Sequence, residues 1–472
     1  MLSATALDPA TLRSLARGTS HDETLPNAEQ MAAVERAHVS AVRAGEAGRV
    51  YGLTTGVGAL KDVPVGEVGD QDGERSLRLW RSHAAGVGPE ADDDVARATM
   101  LVRLQQLLRG GAGVSPGLVR GLAEACGAGV VPRLHTTGAI GTGDLAQLSE
   151  LGLTLAGELP WKSGERPPAR VAATDGLAFV SSNALTVATA ALAVADLDDL
   201  AEAADRVAAL SHLGLLGAME AYDARALASK HDPWAAGVAE RLRHLLGDGP
   251  EAARLQDPFA LRTVPQVHGT LREALATARS ALTAEIGAGS ENPLVTDDGV
   301  LHHGHFLTQR LATSLDTVRA AAHPFAALSA ARTSALMDPR LTGLPPFLAA
   351  DTAGSSGLMI LEYVAADLVT RARRLAAPTT TGAVLSLGLE EHASFSTQGA
   401  RAARELIGVL GELLGCELVA AVRALRLAPE RALDCPAREL LERGRAVLPD
   451  IADDHVLGPD IRAATALLTR TG

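Results

Sequence analysis

Gly138-Ala-Ile-Gly-Thr-Gly-Asp-Leu-Ala146 is the stretch on which the fold turns. It closes residues 127–143, a run rich in Gly, Pro and Thr that reads as loop. The pattern then changes at once. From Asp144 to Leu159 apolar residues recur at helical spacing, at Leu145, Leu148, Leu151 and Leu155. A glycine-rich loop therefore runs directly into an apolar helical segment.

Outward from this junction the chain has two characters. Upstream, residues 1–45 are polar and helical, with an exposed stretch near Thr19–Thr24, and residues 51–70 form irregular loop. A helix is predicted from Asp92 to Gly110, with Asp92-Asp93-Asp94 capping its free N–H groups and complementing its dipole. Residues 160–175 carry Pro, Gly and charge and form a surface excursion. From Asn183 onward, Ala/Leu-rich segments run through 184–212, 214–245, 266–287, 307–334, 355–377 and 398–427. Long antiparallel helices bury such stripes best as a bundle. Three interruptions, Gln256–Pro265, Gly287–Gly304 and Pro378–Gly388, break it, and long loops inside a helical body are uncommon unless functional. The expected organisation is a loop-rich N-terminal domain over 1–182 and a long-helix bundle over 183–472.

Composition agrees with a mainly α protein. The 472 residues are 47% apolar and only 3% aromatic, with Ala and Leu dominant. A net charge of −13 argues against nucleic acid as a partner, because phosphate binding needs a basic face. Cys126, Cys416 and Cys435 are sparse and widely spaced, which fits a reducing, cytoplasmic setting and offers no metal motif. The N-terminus lacks the pattern of a signal peptide. The apolar run near Ala184–Val194 reads as a buried helix, so no membrane is expected as a partner.

Six further stretches hold side chains able to do chemistry. Tyr51-Gly-Leu-Thr-Thr-Gly-Val-Gly58 sets a phenol in a Gly-rich turn, as a structural tyrosine or as a base. Ser82-His83-Ala-Ala-Gly-Val-Gly88 holds an imidazole, satisfied in the core or facing a ligand. Asp175-Gly-Leu-Ala-Phe-Val-Ser181-Ser-Asn183 places polar groups before Ala184, where they can cap a helix. Gln256-Asp-Pro-Phe259-Ala-Leu-Arg262-Thr-Val-Pro-Gln266 carries a guanidinium, a natural partner for a carboxylate in a ligand or in a salt bridge. Ser290-Glu291-Asn292-Pro293 precedes His302, His303 and Gly304-His305-Phe306-Leu307; no Cys or Asp spacing supports a metal there. Leu389-Glu390-Glu391-His392 offers carboxylates, solvated or aimed at a cationic group.

Taken with the opening loop, these motifs resemble the histidine/phenylalanine/tyrosine ammonia-lyase family, histidine-type branch, from roughly Tyr51 to Leu427. The resemblance implies the long-helix bundle of the ammonia-lyase and fumarase/aspartase-like type. It also implies a homotetramer whose active sites are built by several chains. Arg340-Leu-Thr-Gly-Leu-Pro-Pro-Phe-Leu348 and Ser355–Ala366 are close to the family's subunit-packing segments. In the family the tyrosine matching Tyr51 takes a β-proton from the substrate. The histidine matching His83 faces the substrate ring, the arginine matching Arg262 holds its carboxylate, and the glutamate matching Glu390 sits near its ring or amine.

The family's loop reads Gly-Ser-Val-Gly-Ala-Ser-Gly-Asp-Leu-Ala-Pro-Leu. Its Ala-Ser-Gly cyclises and loses water to give methylidene-imidazolone (MIO), an electrophilic ring. Here the aligned triad is Gly141-Thr142-Gly143, and the spacing before it is disturbed. Dehydrated threonine would place a methyl on the carbon that must be attacked. No such ring, and no other cofactor, is expected. Other family positions change too. The family Asn aligns with Ser181, with Asn183 two residues away; its second active-site Tyr is Phe259; and Gly-Asn-Phe-His becomes Gly304-His305-Phe306-Leu307.

The expected function is a ring-free lyase, cyclase or isomerase acting on a small amino acid or related zwitterion. Tyr51 would be the base, Arg262 the carboxylate clamp and Glu390 or His83 the acid. Thr142 stands at the electrophile's place, and Ser181, Asn183, Phe259, His305 and Phe306 complete the pocket. Two rivals remain: an orthodox ammonia-lyase with an unusual ring from Gly141-Thr142-Gly143, and a non-catalytic binding or scaffold protein.

Overall fold

The structure is a computed structural model that describes residues 7–18, 25–65, 73–350, 354–450 and 453–469. The stretch Thr19–Thr24 and the last five residues of the 51–70 loop lie outside the described residues. The chain divides into two compact units. The first takes Met1–Ala195, Ala278–Leu315 and Pro378–Arg401; the second takes Asp196–Thr277, Asp316–Ala377 and Ala402–Gly472.

Helices dominate, and their starts follow sequence chemistry. Helix α1 (Pro9–Arg17) has Pro in its first turn, and the Asp8 carboxylate accepts from Thr11 N. Helix α2 (Ala28–Ala47) opens with a capping box, Asn27 and Gln30 each accepting from the other's backbone N–H. Helix α3 (Glu74–His83) leads to strand β1 (Val87–Glu90). Helix α4 (Asp93–Leu108) lies where it is predicted, but Asp92 makes no side-chain cap bond; Asp94 accepts from Val95 N instead. Almost all of α4 is buried, including Arg103, Gln105 and Gln106. Helix α5 (Pro116–Gly127) precedes β2 (Val131–Pro132) and β3 (His135–Thr137), which pairs with β1. Helix α6 (Leu145–Leu155) ends four residues short of Leu159, because Gly157 turns with φ +81° against Pro168. Strand β4 (Trp161–Ser163) pairs with β2, and the short α7 (Gly176–Val180) follows.

The bundle begins with α8 (Ala184–Leu215). The apolar stretch Gly176–Leu215 is long enough to cross a membrane, yet 89% of its most apolar window is buried inside the fold. The helix expected over 214–245 is broken. Leu216 adopts φ +51°, and α9 (Ala224–Ala228) and α10 (Pro233–Leu246) then start afresh. Asp223 and Asp232 each accept a backbone N–H of their own new first turn, and Pro233 lacks an N–H to continue a preceding helix. Next come α11 (Phe259–Arg262), α12 (Val264–Ile286) and a hairpin of β5 (Leu294–Thr296) and β6 (Gly299–Leu301). The remainder is α13 (Gln309–Met337), α14 (Pro339–Thr342), α15 (Ile360–Leu375), α16 (Ser396–Leu427), α17 (Arg438–Val447) and α18 (Gly458–Thr469).

Inside the second unit two carboxylates organise the buried polar groups. Glu417 accepts from Arg332 Nε and Nη2 at 2.6 and 2.9 Å, from Ser211 at 2.7 Å and from Ser329 at 2.6 Å. Asp205 meets His268, Arg272 and Arg241. Such charged groups are tolerated in a core because they are paired, although His268 Nε2 and Arg272 Nε find no hydrogen-bond partner.

Candidate active site

The opening loop lies against the start of α8, and one carboxylate accounts for that. Asp144 N donates to Ser182 O at 2.7 Å. The Asp144 carboxylate accepts from Thr186 N and from Thr186 Oγ1, each at 2.8 Å. An anion at a helix N-terminus is favoured by the unsatisfied N–H groups there. Burial nevertheless pushes the Asp144 carboxyl up to about 6, against the pull of those bonds.

The three residues before Asp144 are pinned at both ends. Gly141 O accepts from Ser394 Oγ at 3.0 Å and from Thr308 Oγ1 at 3.2 Å. Gly143 N donates to Asn183 Oδ1 at 2.9 Å, and Asn183 Nδ2 donates to Phe306 O at 2.7 Å. Gly141 has φ +81°, and a Cβ there would lie 2.1 Å from Ser394 Oγ and 2.5 Å from Ser396 Oγ. No side chain fits at 141 while those hydroxyls stay.

Thr142 borders a cavity of about 600 Å³ in the first unit. Tyr51 and Lys61 wall it from the loop after α2, and Leu145 from α6. Leu177 and Ser181 come from α7 and its end; Asn292, His302, Phe306 and Leu307 from the segment before α13. Leu389, Glu390, Glu391 and His392 close it from a strap before α16. Leu385 bridges Glu390 within the strap, and the strap is tied to the tyrosine loop where Ser386 Oγ accepts from Ala59 N at 2.8 Å. Gly58 is needed at that approach, since φ is +56° and a Cβ would meet Ser386 Oγ at 2.4 Å.

Gly58 N donates to the Tyr51 hydroxyl oxygen at 2.7 Å. A base needs a lowered pKa, yet the free site raises that of Tyr51. Burial pushes the phenol up, the Gly58 N–H opposes the rise, and the nearby Glu390 charge adds to it. Ser181 Oγ accepts from Asn292 N at 3.1 Å.

The cavity thus gathers Tyr51, Thr142, Ser181, Phe306 and Glu390 from the residues expected on sequence. Asn183 stands behind the loop rather than in the wall, bridging Gly143 to Phe306. His83 is not in the wall: its Nδ1 donates to Leu79 O at 2.9 Å, at the end of its own helix. His305 is exposed, and its backbone N donates to His303 Nδ1. Phe259 and Arg262 belong to the second unit. There the guanidinium stacks 4.6 Å from the exposed Phe259 ring and bonds Gln256, while Arg262 Nε finds no partner. Among the described residues no His/Cys/Asp/Glu group is arranged to hold a metal ion. Sequence reading missed Lys61, an ammonium at the cavity paired with the neighbouring Asp62. It also missed the Thr308, Ser394 and Ser396 hydroxyls. Lys61 lies only three residues beyond the glycine-rich turn, the one local hint available.

Comparison with known proteins places these features in context. The chain matches the model of the aromatic amino acid lyases over residues 7–446. It is 34% identical to a histidine ammonia-lyase of Geobacillus thermodenitrificans, over 93% of this chain and 92% of that protein. Among solved structures it is similar to the ergothioneine-degrading enzyme ergothionase of Treponema denticola. The TM-score is 0.91 at 25% identity, covering 98% of this chain and 97% of that one. It is also similar to histidine ammonia-lyase of Trypanosoma cruzi, with a TM-score of 0.88 at 28% identity, covering 98% and 92%.

Proposed function

The chain belongs to the aromatic amino acid lyase family, and from that premise we propose that it eliminates an amine from a quaternary ammonium amino acid without an MIO ring. One observation carries the proposal: the electrophile's place is taken by Gly141-Thr142-Gly143, in a site where position 141 has no room for the family's alanine. The residues present do not suit the ring. Threonine would set a methyl on the attacked carbon. The nitrogen and carbonyl that would join are each held by other partners, Asn183 on one side and Ser394 with Thr308 on the other.

Without an electrophile the leaving group must depart unaided. A primary ammonium yields its own proton to a base before a β-carbon does. A trialkylammonium has no such proton, carries a permanent charge and leaves as a neutral amine. The cavity wall suits that group. Leu145, Leu177, Phe306, Leu307 and Leu389 provide apolar contact, and Tyr51 and Glu390 provide an aromatic face and a counter-charge. Burial is the larger cause of the raised Tyr51 phenol, and a substrate cation beside Glu390 offsets the smaller rise that the Glu390 charge adds. The Tyr51 phenol first gives its proton to solvent; the phenolate oxygen then takes the β-proton, the C–H electron pair becomes the Cα=Cβ bond, and the Cα–N pair leaves with the amine. Arg262 of the partner subunit is the carboxylate clamp in this scheme, as in the family's sites built by several chains; its Nε has no acceptor within its own chain. In this reading the protein is a homotetramer with shared sites, acting on an imidazole-bearing zwitterion. The likeness to an ergothioneine-degrading enzyme supports a betaine of that kind.

Incubation with ergothioneine, with the trimethylammonium betaine of histidine and with L-histidine tests this directly. Release of trimethylamine with ultraviolet absorbance of an unsaturated acid is expected from a betaine and not from L-histidine. Turnover of L-histidine alone would refute it.

A further inference from the structure

Arg103 lies on α4 and is fully buried, although no motif of the site includes it. Its Nε donates to Phe179 O at 2.9 Å and its Nη2 to Ala178 O at 2.6 Å. Its Nη1 donates to Gln106 Oε1 at 3.2 Å and to Glu291 Oε1 at 2.7 Å. Phe179 stands two residues before Ser181, and Glu291 immediately precedes Asn292. On the cavity side the same two strips meet again, Asn292 N donating to Ser181 Oγ. Asn292 Oδ1 then accepts from His303 N at 3.0 Å, next to His302. One guanidinium therefore grips from behind the two strips that form one wall of the cavity.

A buried ion pair is poor evidence for stability, because desolvation offsets its attraction. Its rigid fork gives registration instead: two bonds to the Ala178 and Phe179 carbonyls and one to the Glu291 carboxylate fix the two strips at one separation. We infer that Arg103, with Glu291 as its counter-ion, is a positioning residue that sets the spacing of Ser181 and Asn292 in the wall of the reaction cavity. The inference rests on the reading that this cavity is where the reaction occurs.

Two measurements on the full chain decide it. In Arg103→Met/Glu291→Leu the pair is replaced by apolar groups, and hydrogen exchange is read by mass spectrometry. Exchange is expected to rise at least ~10-fold over residues 177–183 and 290–303, with α15 and α18 unchanged. Arg103→Lys keeps the charge but loses the fork, and should show the same local rise if the double variant does not fold. Turnover of a betaine gives the second measurement, as a double-mutant cycle. Ser181→Ala should lower kcat/KM at least ~10-fold in the parent, but no more than ~3-fold once the Arg103 fork is gone. Unchanged or uniformly raised exchange overturns the inference, as do effects that multiply. If the parent turns over no betaine, the proposed function fails, and the exchange result alone decides the role of Arg103.

Discussion

At the scale of single residues, the site is organised by what each group can give or take. With Tyr51 as the proposed base, Tyr51→Phe should lower kcat by at least ~100-fold with little change in the binding of a betaine, measured by calorimetry. Glu390→Gln removes the counter-charge, so KM for a betaine should rise at least ~5-fold more than KM for a neutral analogue. Asp144 tests the electrostatics of the loop. Its carboxyl is raised to about 6 from the ordinary 3.8. The folded state therefore holds that proton more tightly than the unfolded chain. Stability is lost as pH rises from the unfolded value through about 6, by at most about 3 kcal/mol. Asp144→Asn has no such titration. Its denaturation midpoint should gain on the parent's between pH 4 and pH 7, whatever the offset at pH 4. Legibility in the sequence divides along the same line. Tyr51, Thr142 and Glu390 sit in short motifs whose chemistry is local, and the cavity gathers all three. Thr308 and Ser394 reach Gly141 across 167 and 253 residues, and no local pattern announces such a contact.

At the scale of elements, helix periodicity was readable and helix boundaries were less so. The long apolar segments after Asn183 do form α8, α12, α13 and α16. The expected 214–245 helix broke because capping aspartates and Pro233 outweighed an apolar period that continued through them. Buried polar residues within helices carried more information than their pattern suggested. Arg103 and Gln106 interrupt an apolar run in α4, which marks them as paired, but the run does not name their partners. Glu417 on α16 is a comparable case in the second unit. Glu417→Ala leaves the Arg332 guanidinium buried without its carboxylate. The change should cost about 3–5 kcal/mol in chemical denaturation. A cost below ~1 kcal/mol would mean that water reaches the pair and that the burial argument is mistaken.

At the scale of the whole molecule, the family scaffold is retained while the loop that defines the family's chemistry is altered. Composition and helical pattern were enough to assign a mainly helical body, because they sample the entire chain, whereas the lyase scaffold came from the resemblance of several short motifs. The return of Ala278–Leu315 and Pro378–Arg401 to the unit that holds the opening loop depends on long-range packing, which composition does not encode. Assembly belongs to this scale too. Leu387 is 96% exposed in the strap that carries Glu390, an unfavourable place for a leucine unless another subunit covers it. Leu387→Asp should shift the proposed tetramer toward smaller species by light scattering. The central claim is that the chain works without a ring, and intact mass of the purified full-length protein tests it most directly. The account predicts the mass of the unmodified sequence, with Gly141-Thr142-Gly143 as ordinary backbone. A mass lower by two water molecules, localised to the peptide that holds residues 141–143, would contradict it.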